Sequence, residues 1–159
     1  MTLIKTLIFT ILVPGTVTIL IPRWLLASAA GVERYNIGVV RYLGLVPVVV
    51  GASIYLWCAS DFTFAGKGTP APIDPPKELV ARGLYRYVRN PMYVGVASVL
   101  IGEALLFQSL TLLEYAGAVL LMFHLFVVLY EEPALARKFG DSYLRFREEV
   151  PRWIPRIRP

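Results

Sequence analysis

Two segments of this chain carry side chains suited to chemistry. The first is Arg89-Asn90-Pro91-Met92-Tyr93 with Gly95, and the second is Tyr130-Glu131-Glu132-Pro133. A basic, proline-stiffened corner facing paired carboxylates can hold a small zwitterion, because charge-assisted hydrogen bonds are the strong ones. Pro91 also biases Asn90 toward an extended backbone, which fixes an amide where a following helix begins. Glu103 and His124 fall inside the apolar sequence between the two segments, where an ionisable group is a functional candidate by default. The ordinary alternative is an interfacial belt of Tyr85, Arg86, Tyr87, Arg89 and Tyr93, with Glu131 and Glu132 as solvated helix ends. Against it, the dipole at a helix C-terminus disfavours carboxylates. A proline directly after them also frees backbone carbonyls, so this pair needs cationic partners.

The elements that position these groups follow from hydropathy. Of the 159 residues, 57% are hydrophobic and only 17% are charged, and the mean hydropathy is +0.61. This is an integral membrane composition rather than that of an ordinary soluble domain. The formal charge of +5 is spread beside apolar runs, which fits anionic lipid headgroups and argues against nucleic acid. One cysteine, Cys58, and one histidine leave no zinc-type ligand cluster and no histidine-based triad with its parts.

A spanning helix needs about 20 largely apolar residues. The sequence predicts an all-α protein with four such spans in a single domain over 1–159, near 3–21, 37–60, 92–108 and 110–130. Arg23 and Trp24 beyond the first run read as an interfacial anchor rather than as part of a secretory signal. Lysine and arginine are concentrated in the loop 61–91 and the tail 133–159. Both are therefore expected on the cytoplasmic side, together with the termini and both motifs.

Between the third and fourth spans only Ser109 and its neighbours are left for a loop, which predicts a tight antiparallel hairpin. Counting about 1.5 Å per residue, Glu103 lies roughly 15 Å below Tyr93 and His124 roughly 10 Å below Glu131, so the two are expected to be able to meet, either as a structural hydrogen-bonded pair across the hairpin or as catalytic groups. His124, Val127 or Val128, and Glu131 share one helical face, which is expected to line a cavity. Glu114 is expected at the opposite interface. After Pro133, the residues Leu135, Phe139, Tyr143, Phe146 and Val150 lie near one face of a helix-like stretch, predicting an amphipathic interfacial lid.

The run Gly83-Leu84-Tyr85-Arg86-Tyr87-Val88-Arg89-Asn90-Pro91-Met92-Tyr93-Val94-Gly95, followed by Glu131-Glu132 and then Phe139-Gly140-Asp141-Ser142-Tyr143, resembles the isoprenylcysteine carboxyl methyltransferases. The Asn90 to Tyr93 and Tyr130 to Pro133 segments look closer still to the phosphatidylethanolamine N-methyltransferases of the same membrane class. The resemblance covers roughly the last half of the chain. It implies S-adenosylmethionine as methyl donor, S-adenosylhomocysteine as product, and a lipid or lipophilic acceptor entering from the bilayer. By position it implies cofactor contacts from Lys77, Glu78, Leu79, Val80, Tyr85, Asn90, Pro91, Met92, Tyr93, Glu131 and Glu132. Glu103 and His124 are left as candidates for proton handling if the acceptor is an amine.

Asn90 stands where the carboxyl methyltransferases usually carry histidine, and Val127 where they carry an arginine for the substrate carboxylate. The acceptor, phospholipid amine or prenylcysteine-like carboxylate, therefore stays open, as does the oligomeric state. Two other classes fit the architecture: an NADPH-dependent membrane reductase, for which no dinucleotide fingerprint is present, and a non-catalytic lipid-binding membrane protein.

Overall fold

The computed structural model describes residues 2–28, 35–64 and 79–156. Among them there is no strand. Helices α1 (Leu3–Ser28), α2 (Gly38–Phe64) and α4 (Leu110–Phe139) are each long and apolar enough to cross a membrane, and α3 (Pro91–Leu106) is a shorter apolar helix. A short helix, α5 (Asp141–Glu149), follows α4. Large apolar side chains such as Ile4, Ile11, Leu20, Val49, Leu56, Leu121 and Leu129 are exposed on the outside of these helices. A water-soluble monomer does not present apolar surface on that scale; a lipid-facing one does. The chain is an all-α membrane protein, as its composition predicts.

The close contact in the bundle is α2 against α3, and glycine makes it possible. Gly44 and Gly51 of α2 face Gly102 and Gly95 of α3 in antiparallel order. A Cβ on Gly95 would sit 2.7 Å from the Gly51 carbonyl oxygen, and one on Gly102 would sit 2.6 Å from that of Gly44. Backbone meets backbone here, the small-residue packing that lets membrane helices associate without a hydrophobic driving force. Gly95→Leu is therefore expected to destabilise the folded protein by about 2 kcal/mol or more, since both helices must separate. Gly117, where an added Cβ would meet nothing within 4 Å outside its own stretch of helix, is the matched control: Gly117→Leu is expected to cause no loss of stability, because a glycine inside a helix itself costs about 0.5–1 kcal/mol. Unfolding curves in detergent check both.

Helix α1 joins the bundle through polar links. Thr6 Oγ1 lies 3.0 Å from Thr63 Oγ1 and Thr10 Oγ1 lies 3.1 Å from Tyr55 Oη, while the Tyr115 hydroxyl donates to the Val17 carbonyl over 2.9 Å. The predicted hairpin between α3 and α4 is present. It turns at Gln108, whose φ is +54°, and Ser109 caps α4 by accepting from the Leu112 N–H.

The helices differ from the expected spans at their ends, and proline explains how. Helix α4 does not stop before Pro133 but runs through it to Phe139. The turn Val127–Glu131 is a π-turn in which the Glu132 N–H bonds to Val127 O. The extra residue in that turn absorbs the ring and the missing N–H of a proline that would break a regular helix. Helix α1 uses the same device, with a π-turn at Thr16–Leu20 two residues before Pro22. The expectation that Glu131 and Glu132 occupy a helix terminus is thereby corrected: they lie inside a helix, so the terminal dipole does not act on them. The predicted lid is likewise two helical pieces, the end of α4 and all of α5, divided at Gly140 with φ +52°.

Candidate functional site

A cavity of about 200 Å³ opens between the start of α3 and the C-terminal half of α4. One wall is the segment before and at the start of α3: Leu79, Val80, Tyr85, Arg89, Asn90 and Tyr93. The facing wall is the π-turn region of α4: Phe126, Val127, Tyr130, Glu131 and Glu132. The lid supplies Leu135, Phe139, Tyr143 and Phe146, four of the five residues whose spacing predicts one apolar face; the fifth, Val150, is buried. The π-turn has a direct consequence here. It ends on Glu131, directly before Glu132, which fits the general association of such bulges with functional positions.

The two walls touch through hydrogen bonds. The Tyr93 hydroxyl donates to Glu131 Oε2 over 2.7 Å, and no other protein bond to this carboxylate is recorded among the described residues. Glu132 is differently placed. Arg152 forks onto it, Nε to Oε1 at 2.7 Å and Nη2 to Oε2 at 3.0 Å. Arg89 Nη1 lies 3.0 Å from the same Oε1. That Arg89 contact is an ion pair without an aligned N–H: Nε and Nη1 of Arg89 are buried and donate no hydrogen bond. The cavity therefore holds a guanidinium with unused donors on one wall and a carboxylate with unused acceptor capacity on the other.

The C-terminal tail secures this arrangement from outside. The Arg89 N–H donates to Pro151 O (2.8 Å), the Arg156 N–H donates to Tyr87 O (3.1 Å), and Asn90 Nδ2 donates to Arg152 O (3.1 Å). Asn90 thus caps no N–H of α3 with its side chain; its amide ties the tail to the cavity wall instead. From below, Asp61 of α2 accepts from Arg82 Nε and Nη2 on Oδ1, at 3.1 and 3.0 Å, and Phe62 packs edge-on against the Tyr85 ring with centroids 5.6 Å apart.

Three groups at the site, all outside the spanning helices, have shifted proton affinities. Burial pushes the Tyr85 phenol well above its usual range, and nearby Cys58 adds to the effect. Burial raises Tyr143, with the Glu132 charge adding and Arg89 opposing. The hydrogen bond to Glu132 holds Arg152 more firmly protonated. The phenols are neutral and the Arg152 guanidinium charged at any physiological pH.

Of the residues singled out from sequence, Leu79, Val80, Tyr85, Asn90, Tyr93, Glu131 and Glu132 line the cavity. Pro91 and Met92 do not. Pro91 is fully buried as the first residue of α3, and Met92 packs against both clusters of the core. Lys77 and Glu78 lie outside the described residues. Glu103 and His124 are not brought together. Glu103 is near enough to Tyr115 to act on it electrostatically and has a buried Oε2 without a hydrogen bond. His124 is exposed, and its Nδ1 accepts from Trp153 Nε1 at 3.2 Å. Tyr115 and His124 are nine residues apart on α4, about 13 Å of helical rise, so the count of depth from two different helix ends misplaced the pair. Arg89, which the sequence places in the basic corner but not among the cofactor contacts, lines the cavity, and Arg152 is not assigned to the site by the sequence at all. The signal for Arg89 was its place directly before Asn90; nothing in the sequence ties Arg152 to Glu132.

Comparison with known proteins settles the relationship. Residues 39–142 match the model of the phospholipid methyltransferase family, a stretch containing both cavity walls. The chain belongs to the phospholipid methyltransferase family. It is also 38% identical over 79 residues to the Protein-S-isoprenylcysteine O-methyltransferase of Schizosaccharomyces pombe. That match takes in 50% of this chain and 34% of the yeast protein, so the chain spans about a third of the length of that relative. Within the family match lie Arg89, Tyr93, Glu131 and Glu132; Arg152 lies beyond its end.

Proposed function

We propose that this protein is a methyltransferase that binds S-adenosylmethionine in the cavity between α3 and α4 and methylates a lipid or lipophilic acceptor at the cytoplasmic membrane face. The observation that carries the reading is the pairing of unused groups: the buried, unsatisfied donors of Arg89 across from Glu131. They complement the carboxylate and ammonium of an α-amino acid. The donor set therefore fits the methionine end of the cofactor. Tyr85, Phe139, Tyr143 and Phe146 supply the apolar and aromatic surface suited to its adenine and sulfonium. The volume of about 200 Å³ is below the usual ~300–1,000 Å³ of sites enclosing a whole small molecule. It encloses the amino-acid end and leaves the rest toward the opening.

When bound, the cofactor supplies a methyl group on sulfur, which an acceptor lone pair takes as the carbon–sulfur bond breaks, leaving S-adenosylhomocysteine. The chain's own contribution is placement and exclusion of water. Arg89 holds a carboxylate, Glu131 holds an ammonium, and Tyr93 fixes the orientation of Glu131 through its 2.7 Å bond. Leu135, Phe139 and Phe146 of the lid cover the opening with apolar groups. Glu103 and His124 do not line the cavity, so neither is given a step in the transfer. Val127 is 1% exposed and lines the cavity wall, so that position offers no cation to an acidic acceptor. The four-span topology in a single domain, with the termini, loop and cavity on the cytoplasmic side, follows the distribution of lysine and arginine.

Incubation of the full chain in lipid nanodiscs with methyl-labelled S-adenosylmethionine and native lipid extract tests the proposal. A labelled product with an acyl or isoprenoid portion is expected. Label found only in water-soluble product would contradict entry of the acceptor from the bilayer.

A further inference from the structure

Glu132 presents a problem that the cofactor reading alone does not solve. A carboxylate 3.0 Å from Arg89 Nη1 is the natural partner for that guanidinium, and a planar fork-to-fork pair would use up the donors needed by a ligand. Yet Nε and Nη1 of Arg89 remain without a hydrogen bond. The fork belongs instead to Arg152, which takes one oxygen of Glu132 with Nε and the other with Nη2. Arg152 cannot easily swing away, because its carbonyl receives Asn90 Nδ2 and its neighbours Pro151 and Arg156 are bonded to the backbone of Arg89 and Tyr87.

We propose that Arg152 is a positioning residue of this site: by forking onto both oxygens of Glu132 it limits that carboxylate to the single Oε1–Nη1 contact with Arg89, and so leaves the buried Nε of Arg89 for the carboxylate of a bound zwitterion. The inference rests on the assignment of the cavity to S-adenosylmethionine. Without Arg152 both oxygens of Glu132 are free to form a fork with Arg89. The C-terminal tail, outside the family match of residues 39–142, thereby becomes part of the binding apparatus rather than a trailing segment.

The test uses the full chain in nanodiscs and two probes read by calorimetry. S-adenosylhomocysteine carries the amino-acid carboxylate; 5′-methylthioadenosine lacks the amino-acid portion. Arg152→Ala is expected to weaken S-adenosylhomocysteine at least tenfold while leaving methylthioadenosine within twofold. Adding Glu132→Gln to Arg152→Ala is expected to restore most of the lost affinity, because an uncharged amide does not sequester Arg89. A clamp with a merely structural role predicts the reverse: both probes weaken together and the double variant is no better than the single, which would overturn the proposal. Should Arg152→Ala fail to fold, Arg152→Lys takes its place, since it keeps the charge and loses the fork. An intermediate, probe-selective loss is then expected, and unchanged S-adenosylhomocysteine affinity would overturn the positioning role. A wild type that binds neither probe overturns the cofactor reading itself. A wild type that binds, matched by its Arg152 variants, overturns the positioning role alone.

Discussion

Glu131→Ala is expected to weaken S-adenosylmethionine binding by roughly thirtyfold to several thousandfold, the range for truncating one partner of a desolvated, hydrogen-bonded charge pair, about 2–5 kcal/mol. The reason is the contrast with its neighbour. Glu132 spends its charge on two arginines, whereas Glu131 is hydrogen-bonded, among the described residues, to the neutral Tyr93 and lines the cavity. Glu131→Gln keeps an oxygen for the Tyr93 hydroxyl and loses the charge, so its loss is expected to fall between wild type and alanine. Folding should suffer less than binding. The alanine variant leaves one phenol without its acceptor, which costs about 1–3 kcal/mol and is measurable separately by unfolding. Equal binding by Glu131→Ala and wild type would remove this residue from the site.

Arg89→Ala is expected to produce a loss of the same order, with a different signature. Its effect should be confined to ligands that carry the amino-acid carboxylate, since its unused donors are the groups assigned to that carboxylate. Arg89→Lys retains the charge but not the fork, and recovery is expected to be partial at best. Glu132 and Tyr143 both depend on Arg89 for charge or hydrogen bonding, so this variant also needs its unfolding curve measured beside its binding curve. A uniform loss across carboxylate-bearing and carboxylate-free ligands would mean that Arg89 acts by holding the wall together rather than by touching the ligand.

How far the sequence reached can be read from particular residues. The apolar runs specify the helices because burial in lipid demands them, and Gly95 marks a close approach because only a missing side chain permits it. The meeting of Tyr93 with Glu131 was legible from the hairpin length, which returns the chain to the same level. The lid face was legible from spacing alone, since Leu135, Phe139, Tyr143 and Phe146 do line the cavity. What was not legible depended on register and on the tail. A π-turn shifts the helical frame by one residue, and no periodicity count that assumes an unbroken ladder up to Pro133 foresees that α4 continues past it. Glu103 and His124 were placed by depth, measured from two separate helix ends, and small errors in each became a separation of more than two helical turns. The different fates of Glu131 and Glu132, adjacent in sequence, follow from Arg152, twenty residues beyond Glu132 in a tail whose Pro151 and Arg156 are bonded to the backbone of Arg89 and Tyr87. Local sequence carries no record of such a contact.

Under the proposed function, the cavity binds the amino-acid end of S-adenosylmethionine between Arg89 and Glu131. Calorimetric titration of the full chain in nanodiscs with S-adenosylmethionine measures it most directly. The account predicts saturable binding at one site per chain, lost in Glu131→Ala and in Arg89→Ala while both variants remain folded; absence of binding by the wild type, or full binding by both folded variants, would contradict it.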